Sequence, residues 1–189
     1  MIKRVYAGLF LLLVFTSCTS MKTFKNTADL HGAVYDVKNR PVPGCTILLN
    51  GNEKAITDVN GRFILYGLKS GVYDIETNSS YCEKYTAELK FLNETQYVLI
   101  SLVDNETLYD FVEEALGKKE YGKADKIIER LFTINKNNSN AIMYLAVIRY
   151  SEGNANAALR ILTDAKNRGI SDPWMKAFKD MLEENNEEN

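Results

Sequence analysis

The sequence is poor in the residues that enzymes commonly use for catalysis. Its 189 residues include one histidine, His31, and three cysteines. There is no Ser/His/Asp or Cys/His grouping, no glycine-rich phosphate loop, and no pair of carboxylates in a recognisable motif. The sequence therefore predicts a protein that is not an enzyme and that uses no metal ion or cofactor.

Long apolar runs and basic stripes are also scarce. The main apolar run, residues 7–15, is too short to span a bilayer comfortably. The 23 lysines and arginines are balanced by 25 acidic residues, and they form no basic stripe along the chain. Because nucleic-acid binders usually carry such a stripe, we expect no nucleic-acid partner.

The first residues have the arrangement of a signal peptide. Lys3 and Arg4 precede the apolar run, and polar residues begin at Thr16. The run ends in Phe15-Thr16-Ser17-Cys18, which resembles the lipobox of bacterial lipoproteins, although Phe15 stands where Leu is usual. The alternative is an ordinary signal peptide that is cut near Ser17, in which case Cys18 has no special role.

The lipobox resemblance implies an address for the protein. Residues 1–17 would be removed and lipid attached to Cys18, and several acyl chains on one N-terminus hold a membrane more firmly than one. Thr19 is not the Asp that often retains such proteins in the inner membrane, so the resemblance favours the bacterial outer membrane. Residues 18–28 would form a polar tether. The periplasmic and surface sides of the membrane both stay open.

Residues 29–103 contain short apolar segments at regular intervals, separated by Gly, Pro and Asn-Gly, a pattern typical of a seven-stranded β-sandwich. Four spaced strings resemble the carboxypeptidase regulatory-like domain, which has a prealbumin-like fold: Gly32-x-Val34-x-Asp36, Pro41-x-Pro43-Gly44-Cys45, Thr57-Asp58-x-Asn60-Gly61-x-Phe63 and Gly71-x-Tyr73-x-Ile75. The resemblance is to an accessory domain of that enzyme class. The zinc ligands of its catalytic domain cannot be assembled from a single histidine.

Two features of this segment allow more than one interpretation. Asp58, Asn60 and Gly61 resemble the start of a calcium loop, but the later ligands are missing, which favours a turn in which the polar side chains bond local backbone. Cys45 and Cys82 would lie in an oxidising compartment, where a disulfide is permitted. Two buried thiols are the alternative, and the spacing does not decide between them.

After Val103 the apolar period changes from two to about 3.6, which predicts helices over residues 104–182. Residues 105–138 align with the segment from 139 onward at a period of 34, the length of a tetratricopeptide repeat. In this register Ala124 and Ala158 occupy the same small-residue position. The resemblance implies helical hairpins closed by a capping helix after Pro173, with an apolar face formed by Trp174, Ala177, Phe178, Met181 and Leu182. Residues 183–189 would be an acidic tail.

Together these patterns predict an α+β fold in two segregated domains, a prealbumin-like β-sandwich followed by all-α tetratricopeptide-like hairpins. The leading hypothesis is a membrane-anchored scaffold whose helices bind an envelope protein or peptide. Its candidate contact residues lie on the first helix of each hairpin: Tyr109, Glu113, Met143 and Arg149.

A carbohydrate-binding or nutrient-uptake lipoprotein is the alternative, with a glycan held by aromatic residues of the sandwich. Its candidate residues are Tyr66, Tyr73, Tyr81 and Tyr85, which can equally be packing residues. A purely structural role in envelope assembly is a third possibility that the sequence does not separate from the first.

Overall fold

The computed structural model of the protein describes residues 23–187. The predicted signal peptide, Cys18 and the first part of the tether lie outside the described residues, as do the last two residues of the acidic tail. Between residues 23 and 187, no helix combines the length and the apolarity that crossing a bilayer would require.

Seven strands precede five helices in the described part of the chain, which confirms the predicted α+β class. The strands are β1 (Thr27–Asp36), β2 (Thr46–Leu49), β3 (Asn52–Ile56), β4 (Arg62–Lys69), β5 (Gly71–Asn78), β6 (Thr86–Phe91) and β7 (Tyr97–Leu102). They form a three-stranded sheet in the order β4-β1-β7 and a four-stranded sheet in the order β3-β2-β5-β6. Strands β1 and β7 are parallel, whereas the other pairs are antiparallel.

The two sheets enclose one apolar core. Alternate side chains of each strand point inward, as the period-two pattern requires. The fully buried residues come from both sheets and include Leu30, Ile47, Leu65, Ile75, Phe91 and Ile100. This shared core makes the strand-rich part a two-layer sandwich.

The turn before β4 has the local bonding that its sequence predicts. Asp58 Oδ1 accepts hydrogen bonds from the backbone N–H groups of Asn60 and Arg62, both at 2.8 Å. Gly61 has a φ of 72°, and a Cβ at this position would collide with the backbone oxygen of Val34. The turn therefore requires glycine both for its backbone conformation and for its close packing on β1.

Both cysteines of the sandwich are buried free thiols. Burial raises the pKa of the Cys45 thiol and raises the pKa of the Cys82 thiol to about 11. The backbone N–H of Cys45 donates to Thr57 Oγ1 at 2.8 Å. Of the two interpretations that the sequence left open, the structure has the packed thiols.

The helices repeat with a constant step. They are α1 (Asn105–Gly117), α2 (Tyr121–Ile134), α3 (Ser139–Ser151), α4 (Ala155–Asn167) and α5 (Pro173–Glu187). Helices α1, α3 and α5 begin at residues 105, 139 and 173, and α2 and α4 begin at 121 and 155, so each step is 34 residues. Helices α1 and α2 form one hairpin, α3 and α4 form a second, and α5 packs against α4 and α3.

The capping residues of the odd-numbered helices follow the same step. Asp104, Asn138 and Asp172 each accept a hydrogen bond from the backbone N–H three residues later, at 3.0, 3.0 and 2.9 Å. Such caps satisfy one of the unpaired N–H groups of a first helical turn. Ala124 and Ala158, which the 34-residue register aligns, are both fully buried.

The structure corrects two predicted boundaries. Strand β1 begins at Thr27, inside the predicted tether of residues 18–28, because Thr27 and Ala28 pair with Lys69 and Leu68 of β4. Helix α5 continues to Glu187, into the predicted tail of residues 183–189. Glutamate is a good helix former, and Lys179 forms an i,i+4 ion pair with Glu183 on this last part of the helix.

The apolar face of α5 also differs from the prediction. Met175 and Leu182 are buried, and Phe178 packs partly buried beside them. Trp174, predicted to belong to the apolar face of the cap, is 78% exposed. Residues 175, 178 and 182 lie three or four positions apart and so share one face, whereas Trp174 lies about 100° to one side of Met175.

The sandwich and the helices are joined without a flexible linker. The last strand ends at Leu102 and α1 begins at Asn105, whose backbone N–H donates to the Tyr81 carbonyl at 2.9 Å. Arg130 of α2 donates two hydrogen bonds of 2.7 Å to the Glu83 carboxylate. These contacts tie the first hairpin to the strand-rich part.

A charged cluster strengthens this junction. The Arg40 guanidinium donates to the carboxylates of Asp36, Asp104 and Glu106 at 2.6, 2.5 and 2.5 Å. Burial alone would raise the pKa of the Asp36 carboxyl, but hydrogen bonds from Arg40 and from the Lys38 backbone N–H lower that pKa below its ordinary value. Asp36 and Asp104 are buried, and the Arg40 guanidinium provides both carboxylates with a hydrogen-bonded cation.

Candidate binding groove

A groove of about 360 Å³ crosses the odd-numbered helices, and we call it the helical groove. Each of α1, α3 and α5, or the cap just before it, contributes to its walls. The lining residues are Tyr109, Asn140, Met143, Tyr144, Val147, Asp172 and Trp174. On α3 these residues follow the spacing i, i+3, i+4 and i+7 from Asn140 to Val147, so they form one stripe along that helix.

The wall on the α1 side is formed by Tyr109 of α1 and Tyr144 of α3. Their ring centroids are 5.9 Å apart and the ring planes are tilted by 30°. The Tyr109 hydroxyl donates to Asn138 Oδ1 at 3.0 Å, and the Tyr144 hydroxyl donates to the Glu113 carboxylate. Burial, together with the hydrogen bond to Glu113, raises the pKa of Tyr144 above its ordinary value, so the phenol stays protonated.

Three of the four predicted contact residues come together here. Tyr109 and Met143 line the groove, and Glu113 lies at its edge because it accepts the Tyr144 hydroxyl. Arg149 lies elsewhere: it donates to both carboxylate oxygens of Asp125, at 2.8 and 2.9 Å, and so connects α3 to α2. It follows Val147 by two residues, which turns it about 200° away from the groove stripe.

The main groove residue that sequence reasoning missed is Trp174. The period of 34 would have located it, because Thr107, Ala141 and Met175 occupy one repeated position and all three are buried. The residues that precede these three positions, Glu106, Asn140 and Trp174, are all exposed. Extending the repeat register to α5 therefore places Trp174 on the surface.

The tyrosines proposed for glycan binding divide into two kinds. Tyr73, Tyr81 and Tyr85 pack against the sandwich core, and the first two donate their hydroxyls to backbone carbonyls. Tyr66 is 73% exposed. It lines a cleft of about 560 Å³ together with Tyr97, which is 56% exposed and was not among the predicted residues.

That cleft also contains polar side chains. Beside the two exposed tyrosines, the cleft is lined by His31, Lys54, Asp58 and Arg62. His31 pairs with Ile64 of β4 and with Tyr97 of β7, so it lies in the middle of the three-stranded sheet. In the described residues, no group of three or more His, Cys, Asp or Glu side chains is arranged to hold a metal ion.

The described part of the chain is thus a β-sandwich joined to helical hairpins, with the helical groove across the odd-numbered helices and a cleft on the sandwich. No protein-family profile matches the sequence, and no curated protein is similar to it. Solved structures show a distant likeness, and three of them illustrate its extent.

A Pseudomonas aeruginosa protein with a proposed carbohydrate-binding role is 12% identical, with a TM-score of 0.34 over 40% of this chain and 88% of its own. The major pilin subunit of Bacillus cereus is 16% identical, with a TM-score of 0.33 over 42% of this chain and 30% of its own. A Bacteroides uniformis protein with a proposed carbohydrate-binding role is 13% identical, with a TM-score of 0.30 over 42% of this chain and 43% of its own. This chain therefore spans less than half of the last two proteins, and similarities this low carry no argument about function.

Proposed function

We propose that the protein is a non-enzymatic outer-membrane lipoprotein, anchored through Cys18, that binds an envelope protein or peptide in the helical groove. In this proposal the sandwich is a carboxypeptidase regulatory-like, prealbumin-like domain that acts as a spacer. The helices are two tetratricopeptide-like hairpins, and α5 takes the place of the first helix of a third.

The observation that carries the proposal is the position of Trp174 in the helical groove. This is the only tryptophan of the chain, and it is 78% exposed beside Tyr109, Met143 and Tyr144. Tryptophan and tyrosine dominate the binding energy of many protein interfaces, because they contribute large contact areas at little cost in side-chain entropy. A groove with three aromatic side chains from three helices is suited to this use.

The shape of the molecule supports the role of the sandwich as a spacer. Strand β1 starts at Thr27, next to the proposed tether, and ends at Asp36, next to the cluster that holds α1. Ten residues of strand extend about 33 Å. The proposed lipid anchor and the helical groove would therefore be held at opposite ends of the sandwich, with the groove away from the membrane.

Crosslinking in the native envelope tests this function. A photo-crosslinking residue at Asn140, which is exposed and lines the groove, should capture a discrete protein, and the same residue at Glu129, exposed on α2, serves as the control. Trp174→Ala should remove the Asn140 adduct, and the captured protein should bind the purified lipoprotein. Equal adducts from both positions, or an Asn140 adduct that is insensitive to Trp174→Ala, would contradict the proposal.

A glycan on the sandwich is the second candidate, and the cleft beside Tyr66 and Tyr97 favours it. Exposed tyrosine rings next to charged side chains provide the mixed apolar and polar surface that small ligands use. A glycan array probed with the full chain and with Tyr66→Ala tests this alternative. Binding that is lost in Tyr66→Ala and kept in Trp174→Ala would favour the glycan function over the protein-binding one.

A further inference from the structure

The helical groove carries negative charge, and among the described residues its lining includes no cationic side chain. Asp172 lines the groove and Glu113 lies at its edge. Within the described part of the chain, no lysine or arginine lines the groove. Arg149 of α3 pairs with Asp125 and Glu152, and Lys38, from the turn after β1, pairs with Asp110. Lys176 of α5 follows Asp172 by about one helical turn and is exposed, but it does not line the groove.

The aromatic side chains of the groove add to this preference for positive charge. The faces of tryptophan and tyrosine rings attract lysine and arginine side chains. The hydroxyls of Tyr109 and Tyr144 are occupied by Asn138 and Glu113, so these residues offer a partner their rings and not their polar ends. Trp174 extends into solvent on the other wall, where a cation or an apolar side chain can pack against it.

The dimensions of the groove fit an extended chain. It crosses three helices, and neighbouring helices pack about 8–10 Å apart, so its length is roughly 20 Å. An extended peptide rises about 3.3 Å per residue, which corresponds to about six residues over that length. Met143 and Val147 form an apolar floor between the aromatic walls.

We propose that the ligand of the helical groove is an extended basic peptide segment, in which lysine or arginine side chains flank an apolar anchor. The apolar anchor contacts Met143 and Val147, and the basic side chains lie over the aromatic rings close to Glu113 and Asp172. This inference rests on the proposed function, since it names the partner class of the same groove.

Tryptophan fluorescence provides a direct test, because Trp174 is the only tryptophan of the chain. The lipidated full-length protein in non-ionic detergent is titrated with three tryptophan-free synthetic peptides. They share the same apolar residues and carry flanking lysine, glutamine or glutamate. The lysine peptide should shift the Trp174 emission to shorter wavelength and bind at least about tenfold more tightly than the glutamate peptide, and added salt should weaken its binding.

Two conservative variants test the acidic groups without disturbing the fold. Glu113→Gln keeps an acceptor for the Tyr144 hydroxyl, and Asp172→Asn keeps an effective N-cap. Each should weaken binding of the lysine peptide about two- to fivefold, which is the range of exposed ion pairs. Glu129→Gln is the matched control, since Glu129 is exposed on α2 and does not line the groove, and it should change nothing.

Three outcomes would overturn the inference: equal binding of the lysine and glutamine peptides, tighter binding of the glutamate peptide, or no response to any peptide. None of them decides the proposed function, because the Asn140 crosslinking experiment is independent of the charge of the partner. Equal crosslinking from Asn140 and from the control position Glu129 would instead contradict the proposed function, whether or not the peptides bind.

Discussion

Replacing Trp174 and Met175 separately by alanine should have opposite effects on stability and on binding. The two residues are neighbours in α5, but Trp174 is 78% exposed and Met175 is 3% exposed. Only about a fifth of the Trp174 surface is therefore covered. With about 250 Å² for a large aromatic side chain and about 25 cal/mol per Å², this contact contributes roughly 1 kcal/mol, which is an upper estimate.

Met175→Ala should cost considerably more. Removing a buried methionine side chain loses its transfer free energy and leaves a cavity, and such changes typically destabilise by about 2–5 kcal/mol. Met175 packs with Ile142, Ala146 and Leu162, so the loss would fall on the contact between α5 and the second hairpin. Trp174→Ala should abolish binding in the groove while unfolding almost as the parent protein does.

Urea unfolding followed by circular dichroism measures both free energies, and acrylamide quenching of the parent protein checks that the indole is accessible. Equal destabilisation by the two substitutions would refute the reasoning. It would mean that Trp174 packs into the α5 contact, as the sequence interpretation had it. The helical groove would then lack its exposed aromatic residue.

Further predictions concern packing, pH and backbone conformation. Ala124→Leu should lower the free energy of unfolding by about 1–3 kcal/mol, because the larger side chain overpacks a fully buried repeat position. The control Ala177→Leu, on the exposed side of α5, should change this free energy by no more than about 0.5 kcal/mol. Thermal unfolding measures both effects. The folded-state pKa of Asp36 lies below its ordinary value of 3.8, so its contribution to stability is complete above that pH and is lost as the pH falls below it. In Asp36→Asn, the free energy of unfolding from urea titrations should therefore fall less steeply at acid pH than in the parent protein. The same dependence of this free energy on pH in both proteins would contradict the argument. Arg40→Met should destabilise the junction by leaving two buried carboxylates without their cation, and proteolysis between the sandwich and the helices should become faster. Gly61→Ala should destabilise by more than about 1 kcal/mol because its φ is positive and its Cβ has no room, and a neutral result would contradict the turn geometry.

Much of the architecture follows from local patterns. Alternation around residues such as Ile47 and Ile75 specifies strands, because one sheet face must be buried. The 34-residue step specifies the hairpins, because two helices can approach closely only where a small residue such as Ala124 or Ala158 leaves room. Asp58 specifies its own turn, since its carboxylate bonds backbone two and four residues later. These features are set by residues close in sequence or by a repeat that is visible in the sequence, so the sequence alone is sufficient to predict them.

Other features depend on the meeting of distant segments. The sequence does not reveal that Arg40 joins Asp104, which is 64 residues away, or that Arg130 joins Glu83. The helical groove is of the same kind, because its walls come from α1, α3 and α5, and the phase of α5 decides which aromatic residue faces solvent. A capping helix with apolar residues at positions 174 and 175 can be rotated to bury either one. Packing against Ile142 and Leu162 selects Met175, and this tertiary choice leaves Trp174 in the groove.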